Sequence, residues 1–187
     1  MTRDQALEIL HEFASTDRLI KHALAVEAAM RAYARKYGED EDYWGVVGLL
    51  HDFDWEIHPT VPDHPLKGAE ILRQRGVDEK LVCDILSHAD GTGVPRDTLL
   101  RKTLFAVDEL TGLIIATALV RPSRSLADLK AKSVINKLKD KSFAAGVSRE
   151  DIRAGAEELG VDLSEHIQFV IDALKPIGPE LGLNPQA

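Results

Sequence analysis

Apolar residues recur every three or four positions along almost the whole chain, and this spacing limits the possible folds more than any other feature of the sequence. No segment alternates apolar and polar residues as a half-buried strand would, and there is no internal repeat. Gly38 and Gly160 mark predicted helix ends, and Asp17, Asp78 and Ser148 mark predicted helix starts. The sequence therefore predicts an all-α protein of about eight to nine helices.

The length of the chain indicates how many hydrophobic cores it can form. At 187 residues, 44% of them hydrophobic, the chain is long enough for one well-buried core and short for two. We therefore predict a single domain over residues 1–187.

The overall charge and the termini argue against a polymeric or membrane partner. The formal net charge is −8 and the pI about 5.4, so the surface repels nucleic acid and anionic membranes. The first residues are charged where a signal peptide needs an apolar core, and the longest apolar run, residues 113–120, is too short to span a bilayer. A single cysteine, Cys83, permits no internal disulfide. We expect a cytoplasmic protein with a small-molecule partner, and the sequence indicates no oligomeric state.

An imidazole and a carboxylate, His51 and Asp52, directly follow the apolar run of residues 46–50. A charge buried at such a place needs a partner, and a metal ion is the simplest one. The alternative is a core histidine that is hydrogen-bonded to the neighbouring aspartate, and this is the commoner outcome for an isolated pair.

Four further histidine or aspartate residues favour the metal. His22 lies on the apolar stripe of the second predicted helix, and His88 closes the fifth. Asp108 lies on the inner face of the most apolar helix, where an ionised carboxylate is costly unless it is paired. His64 precedes a proline that suits the first turn of a helix, so its ring is free to point away from that helix.

The segment of residues 53–65 contains three prolines and cannot continue the helix before it. We interpret it as the active-site loop. It carries Asp54 and Glu56, which are candidate proton-transfer groups, and Gly68 just beyond it permits the close approach of another group.

In chain order, His22, His51-Asp52 and Asp108 resemble the ligand pattern of the HD superfamily of metal-dependent phosphohydrolases, an all-helical fold. The resemblance covers roughly residues 17–120, which would form the metal-site core of an HD-type helical bundle, with residues 121–187 as supporting helices. It implies that these four residues bind one metal ion.

A second part of the pattern resembles the HD-GYP and HDIG branches of that superfamily. His64-Pro65-Leu66-Lys67-Gly68 matches their His-Pro-x-x-Gly element, and His88 with the following Asp90-Gly91 resembles their next histidine. In those branches the two histidines hold a second metal ion, and the aspartate of the doublet bridges the pair. The resemblance therefore implies that Asp52 is a bridging ligand.

Two departures argue against the cyclic-dinucleotide cleavage of those branches. Phe53-Asp54-Trp55 stands where the HDIG pattern has Ile-Gly-Lys, and residues 93–95 read Gly-Val-Pro instead of Gly-Tyr-Pro. Neither change affects a proposed ligand.

We interpret the chain as a metal-dependent phosphohydrolase that acts on a small phosphate ester or nucleotide through a metal-bound hydroxide. Nitrogen and oxygen ligands suit iron, manganese, zinc, cobalt or nickel, as one or two ions. Asp54 or Glu56 would orient the water or protonate the leaving group. Candidate phosphate contacts, each of which could equally be a solvated surface charge, are Arg18, Lys21 and Lys67.

Two other functions share these ligands. A di-iron oxygenase uses the same set on related scaffolds, and a regulatory module would keep the metal without turnover. The basic segment of residues 121–141 is either a solvated face or a rim that binds an anionic substrate.

Overall fold

A computed structural model describes residues 1–183. Within this range the chain is all-α, without strands, which confirms the predicted fold class and the number of helices. The nine helices are α1 (Arg3–Phe13), α2 (Asp17–Tyr37), α3 (Glu41–Leu50), α4 (Asp63–Gln74), α5 (Glu79–Leu86), α6 (Leu99–Leu119), α7 (Ala131–Lys139), α8 (Arg149–Leu159) and α9 (Leu163–Leu174).

The chain divides into two compact units, Met1–Phe105 and Ala106–Ala187, with the boundary inside α6. The single domain therefore stays a prediction. In the part of the chain that the structure describes, no helix combines the length and the apolar character needed to cross a bilayer.

Most helix ends follow from the residues expected there. Gly38 ends α2 with a φ of +73°, a backbone conformation that glycine adopts without steric cost. Asp78 and Ser148 cap α5 and α8, because their side chains accept hydrogen bonds from backbone N–H groups of the first turn. The predicted start of α2 is wrong by one residue: the capping side chain is the Thr16 hydroxyl, and Asp17 is the first helical residue.

The close packing of α3 on α2 positions the candidate site in the first unit. A Cβ atom at Gly48 would lie 3.0 Å from the Cα atom of Glu27, so the two backbones can approach this closely only because position 48 has no side chain. Every residue of α3 from Trp44 to Leu50 is buried. His51 follows this buried stretch directly, while His22 lies five positions before Glu27 on α2. The crossing therefore brings these two histidines side by side.

Candidate metal centre

Four imidazole rings of the first unit meet in two pairs. The Nε2 atoms of His22 and His51 are 3.1 Å apart, and the Nε2 atoms of His64 and His88 are also 3.1 Å apart. The rings come from α2, from the ends of α3 and α5, and from the start of α4, where His64 has an extended backbone (φ −80°, ψ 134°) inside the helix. The distances bring these four predicted ligands together, and their binding of metal stays a prediction.

Backbone carbonyl groups orient two of the rings. The Nδ1 atom of His51 lies 2.8 Å from the carbonyl oxygen of Gly48, and Nδ1 of His88 lies 2.7 Å from that of Ile85. A carbonyl oxygen only accepts hydrogen bonds, so each Nδ1 carries the proton and donates. Each neutral ring then presents an unprotonated Nε2, which is the form that binds metal ions.

A buried carboxylate orients the third ring. Nδ1 of His64 donates to Oδ1 of Asp54 at 2.9 Å, and the backbone N–H of Gly68 donates to Oδ2 of the same carboxylate at 3.1 Å. Asp54 is only 1% exposed. A Cβ atom at Gly68 would lie 2.5 Å from Cγ of Asp54, so the predicted close approach at this glycine is confirmed, and Asp54 is the group that makes it.

Two lone pairs therefore face each other between His64 and His88, since both rings have their Nδ1 hydrogens engaged elsewhere. Such a pair is stable only with a cation between the nitrogens, either a proton on one ring or a metal ion. At the usual nitrogen–metal distance of about 2.0–2.1 Å, two nitrogens 3.1 Å apart can bind one ion with an angle of roughly 100°, between the octahedral and tetrahedral values. The donor set therefore fits a divalent metal.

The carboxylate of Asp52 lies between the two pairs of rings, and each of its oxygens faces one pair. Oδ2 is 3.6 Å from Nε2 of His22 and 3.5 Å from that of His51. Oδ1 is 3.2 Å from Nε2 of His64 and 3.4 Å from that of His88. The ligand atoms of Asp52, His64 and His88 lie within 4.8 Å of one another. This arrangement suits a carboxylate that bridges two ions.

The electrostatics of the cluster favour positive charge beside Asp52. Burial disfavours the ionised carboxylate, but the nearby rings of His51, His64 and His88 hold its pKa well below the usual range. Burial likewise disfavours a charged His64, yet hydrogen bonds to Asp52 and Asp54 raise its pKa to about 9. The negative charge of Asp52 and Asp54 thus stabilises a proton on His64, and it would stabilise a metal ion at the same place.

Glu56 has contacts unlike those of Asp54. Its carboxylate faces the start of α2 and accepts hydrogen bonds from the backbone N–H and hydroxyl groups of Ser15 and Thr16. These hydrogen bonds lower the pKa of Glu56 to about 2. A carboxylate held in the ionised form by a helix terminus is a poor proton donor near neutral pH, so the contacts favour a structural role, and its catalytic role stays a prediction.

Of the three cations predicted to bind phosphate, two form local ion pairs. Nζ of Lys21 lies 2.6 Å from the carboxylate of Asp17, and Nζ of Lys67 lies 2.8 Å from that of Asp63. Arg18 is exposed and has no ion pair with any of residues 1–183; it precedes His22 by four positions, which places both on one face of α2. Their roles as phosphate ligands stay predictions.

The remaining predicted residues belong to the second unit. Asp108 is half-buried on α6. In the basic segment, Arg121 pairs with Asp128 at 2.5 Å and Nζ of Lys137 lies 4.4 Å from the ring centre of Phe143. These local contacts account for part of the segment, and its role in anion binding stays a prediction.

Sequence reasoning missed how the rings are oriented. Asp54 was expected to act on water or the leaving group, whereas its described contacts hold His64. A signal for the other two rings was present: each histidine stands at a helix end, three residues after the carbonyl that it contacts.

The fold and the cluster define an all-helical protein with a histidine–aspartate centre that is compatible with divalent metal. The sequence model of the family described as "HD domain" matches residues 19–113, half of the chain, and the chain belongs to this family. The matched range contains all six predicted metal ligands.

Two curated proteins are similar to part of the chain. A tRNA (cytidine(56)-2'-O)-methyltransferase of Thermoplasma volcanium is 27% identical over 116 residues, 60% of this chain and 34% of that protein. An uncharacterized protein of Methanocaldococcus jannaschii is 32% identical over 115 residues, 59% of this chain and 66% of that protein. The chain thus spans a third to two thirds of the length of these relatives. No solved structure matches the chain significantly.

Proposed function

We propose that the chain is a metal-dependent phosphohydrolase with two adjacent divalent ions. One observation carries the proposal: two pairs of Nε2 atoms, each 3.1 Å apart, stand on either side of a carboxylate that turns one oxygen to each pair. Family membership supports the class of hydrolase, and the spacing of the donor atoms supports two ions.

The ligands divide into two positions that share Asp52. His22, His51 and Oδ2 of Asp52 form the first position, and the resemblance to the HD superfamily implies Asp108 as its further ligand. His64, His88 and Oδ1 of Asp52 form the second. Six ligands leave room at both ions for water and substrate, which a hydrolytic centre requires.

When bound, the two ions would activate a water molecule as nucleophile and offset the charge that develops on the phosphate oxygens. The residues of the chain supply the positioning. Carbonyl oxygens hold the rings of His51 and His88, and Asp54 holds the ring of His64 in the tautomer that presents Nε2. These three rings are thereby fixed before substrate arrives.

The substrate is a small anionic phosphate ester. Arg18 is the best placed of the candidate contacts, because it shares a helix face with His22 and its charge is not offset by a carboxylate among the described residues, unlike that of Lys21 or Lys67. The methyltransferase matches this chain over 34% of its own length, so its activity is not transferred to this chain.

The test separates hydrolysis from oxygen activation, the competing chemistry on the same ligands. A hydrolase needs only a Lewis acid, so the metal-free protein reconstituted with manganese under argon should release phosphate from a panel of phosphomonoesters and nucleotides. Asp52→Ala should abolish release. Asp84→Ala is the matched control, since Asp84 is a buried carboxylate that contacts Tyr43, Lys80 and Arg101 instead of imidazole.

Two results would overturn the proposal. The first is the absence of phosphate release with manganese, cobalt and zinc alike, together with oxygen uptake by the iron form, which would assign an oxygenase. The second is protein that takes up none of these metals.

A further inference from the structure

Half of the large apolar side chains that are exposed among residues 1–183 lie in one short stretch. Within residues 1–183 eight such side chains are exposed, and four of them fall between positions 55 and 66. They are Trp55, Ile57, Val61 and Leu66, with 42%, 44%, 72% and 38% of their surfaces accessible. We call these four residues the apolar lip. Exposed apolar surface of this density marks a contact with a ligand or a partner.

The lip begins at the candidate metal centre. The ring of Trp55 meets that of His64 edge to face, with centroids 4.9 Å apart. Asp54 closes the loop that carries the lip, because it is hydrogen-bonded to both His64 and Gly68. Trp55 directly follows Asp54 in the sequence, and Leu66 lies between His64 and Gly68. Both apolar residues therefore lie next to the hydrogen bonds that join the two ends of the loop.

Shielding of His64 alone does not explain Trp55. Trp44, which packs inside the fold, is 3% exposed, whereas Trp55 leaves 42% of its surface accessible beside the ring of a candidate metal ligand. The accessible part is available to a molecule that is bound at the centre.

The charge around the lip argues against a membrane or a second copy of the chain as its occupant. Asp52 and Asp54 contact the histidines of the candidate centre; beyond them, residues 55–70 contain three acidic residues and one basic residue, Lys67. This segment repels an anionic membrane, and a symmetric contact between two copies would bring two acidic segments together.

Resting on the proposed function, we propose that Trp55 is the platform for the leaving group of the substrate, and that this leaving group is an alcohol that carries a planar heteroaromatic ring, as the nucleoside of a nucleoside monophosphate does. The phosphate would occupy the metal centre and the base would stack on Trp55, with Leu66 and Ile57 beside it. Stacking of a base on an aromatic side chain strengthens binding about 5- to 150-fold, whichever base it is.

The test compares adenosine 5'-monophosphate with ribose 5-phosphate, which differ only by the base. The chain has two tryptophans, so Trp44→Phe leaves Trp55 as the only one. In this variant loaded with zinc, adenosine monophosphate should quench the fluorescence of Trp55, ribose 5-phosphate should not, and the nucleotide should bind about 5- to 150-fold more tightly. If Trp44→Phe is unstable, the difference in emission between the natural protein and Trp55→Phe gives the same readout.

Substitutions at Trp55 test whether this residue causes the preference for the nucleotide. Trp55→Ala should remove the preference for the nucleotide in KM, while Trp55→Phe should retain part of it because the aromatic face remains. Leu99→Ala is the control, because Leu99 is 38% exposed, close to the 42% of Trp55, but lies outside the lip.

The outcomes separate this inference from the proposed function. Phosphate released from both compounds with equal KM, and without quenching, overturns the platform and leaves the hydrolase intact. Quenching by the nucleotide without phosphate release from either compound supports the platform and counts against the hydrolase. Emission that changes with protein concentration and not with nucleotide assigns the lip to a second copy and overturns the inference.

Discussion

Gly68→Ala tests how tightly the carboxylate of Asp54 is held against His64. The added Cβ atom would lie 2.5 Å from Cγ of Asp54 and 2.6 and 2.7 Å from its oxygens, roughly an ångström closer than ordinary contact. Asp54 is only 1% exposed and closely packed, so its carboxylate must move within the core or the backbone must shift. We expect a loss of about 1–3 kcal/mol in the free energy of unfolding.

The same displacement should weaken metal binding. Moving Asp54 disturbs its 2.9 Å hydrogen bond to Nδ1 of His64, and the loss of such a partner of a metal-binding histidine typically lowers affinity about 10- to 100-fold. Titration of the metal-free protein with zinc in the presence of a competing chelator measures the affinity, and urea unfolding of the metal-free protein measures the stability separately.

A double variant tests whether the loss of stability comes from the clash between the new Cβ atom and Asp54. Asp54→Ala removes the atoms that the new Cβ atom meets, so Gly68→Ala should cost much less stability in the Asp54→Ala background than alone. Strictly additive losses would refute the clash. Gly112→Ala is the control, because its Cβ atom would meet only a methyl group of Val147 at 3.9 Å, and it should stabilise α6 by up to about 1 kcal/mol.

Three further outcomes are expected. Asp52→Ala should lose metal from both positions while the helical circular dichroism is unchanged, and a fully loaded Asp52→Ala protein would rule out the bridge. His88→Ala should lower the metal content by about one ion per chain in elemental analysis, whereas an unchanged content would indicate a single ion. Because the pKa of Glu56 is lowered from 4.5 to about 2, its stabilising contribution is complete above about pH 4.5 and is lost as the pH falls towards 2. Glu56→Gln should therefore flatten the dependence of Tm on pH between these values. A dependence parallel to that of the natural protein would contradict the assigned contacts.

The helices were predictable because their signals are local. Gly38 and Gly160 end helices with left-handed backbones, and Asp78 and Ser148 begin them with side-chain hydrogen bonds. The one-residue error at Asp17 arose because Thr16 and Asp17 are both good caps, and the Thr16 hydroxyl is the one that meets the N–H of Leu19.

The role of Asp54 could not be read from the sequence, because it depends on two contacts made across the loop. A carboxylate two positions after the doublet suggests proton transfer, and only the positions of His64 and Gly68 show that both of its oxygens are engaged. His166 illustrates the same limit in the second unit: Nε2 lies 2.9 Å from the carbonyl oxygen of Ala106, sixty positions away, and no local pattern indicates this contact. Contacts between distant segments leave no periodic trace in a sequence.

The buried C-terminal ends of two helices explain why His51 and His88 are suited to bind metal. The last carbonyl groups of a helix lack partners within it, and each of these rings donates to a carbonyl three residues earlier. That hydrogen bond satisfies part of the helix end, fixes the tautomer and turns Nε2 away from the helix. The partial negative charge of a helix C-terminus also favours a cation nearby. A histidine that closes a buried helix is thus both a cap and a preoriented ligand, whereas His64, at the start of a helix, has no such carbonyl and depends on Asp54 instead.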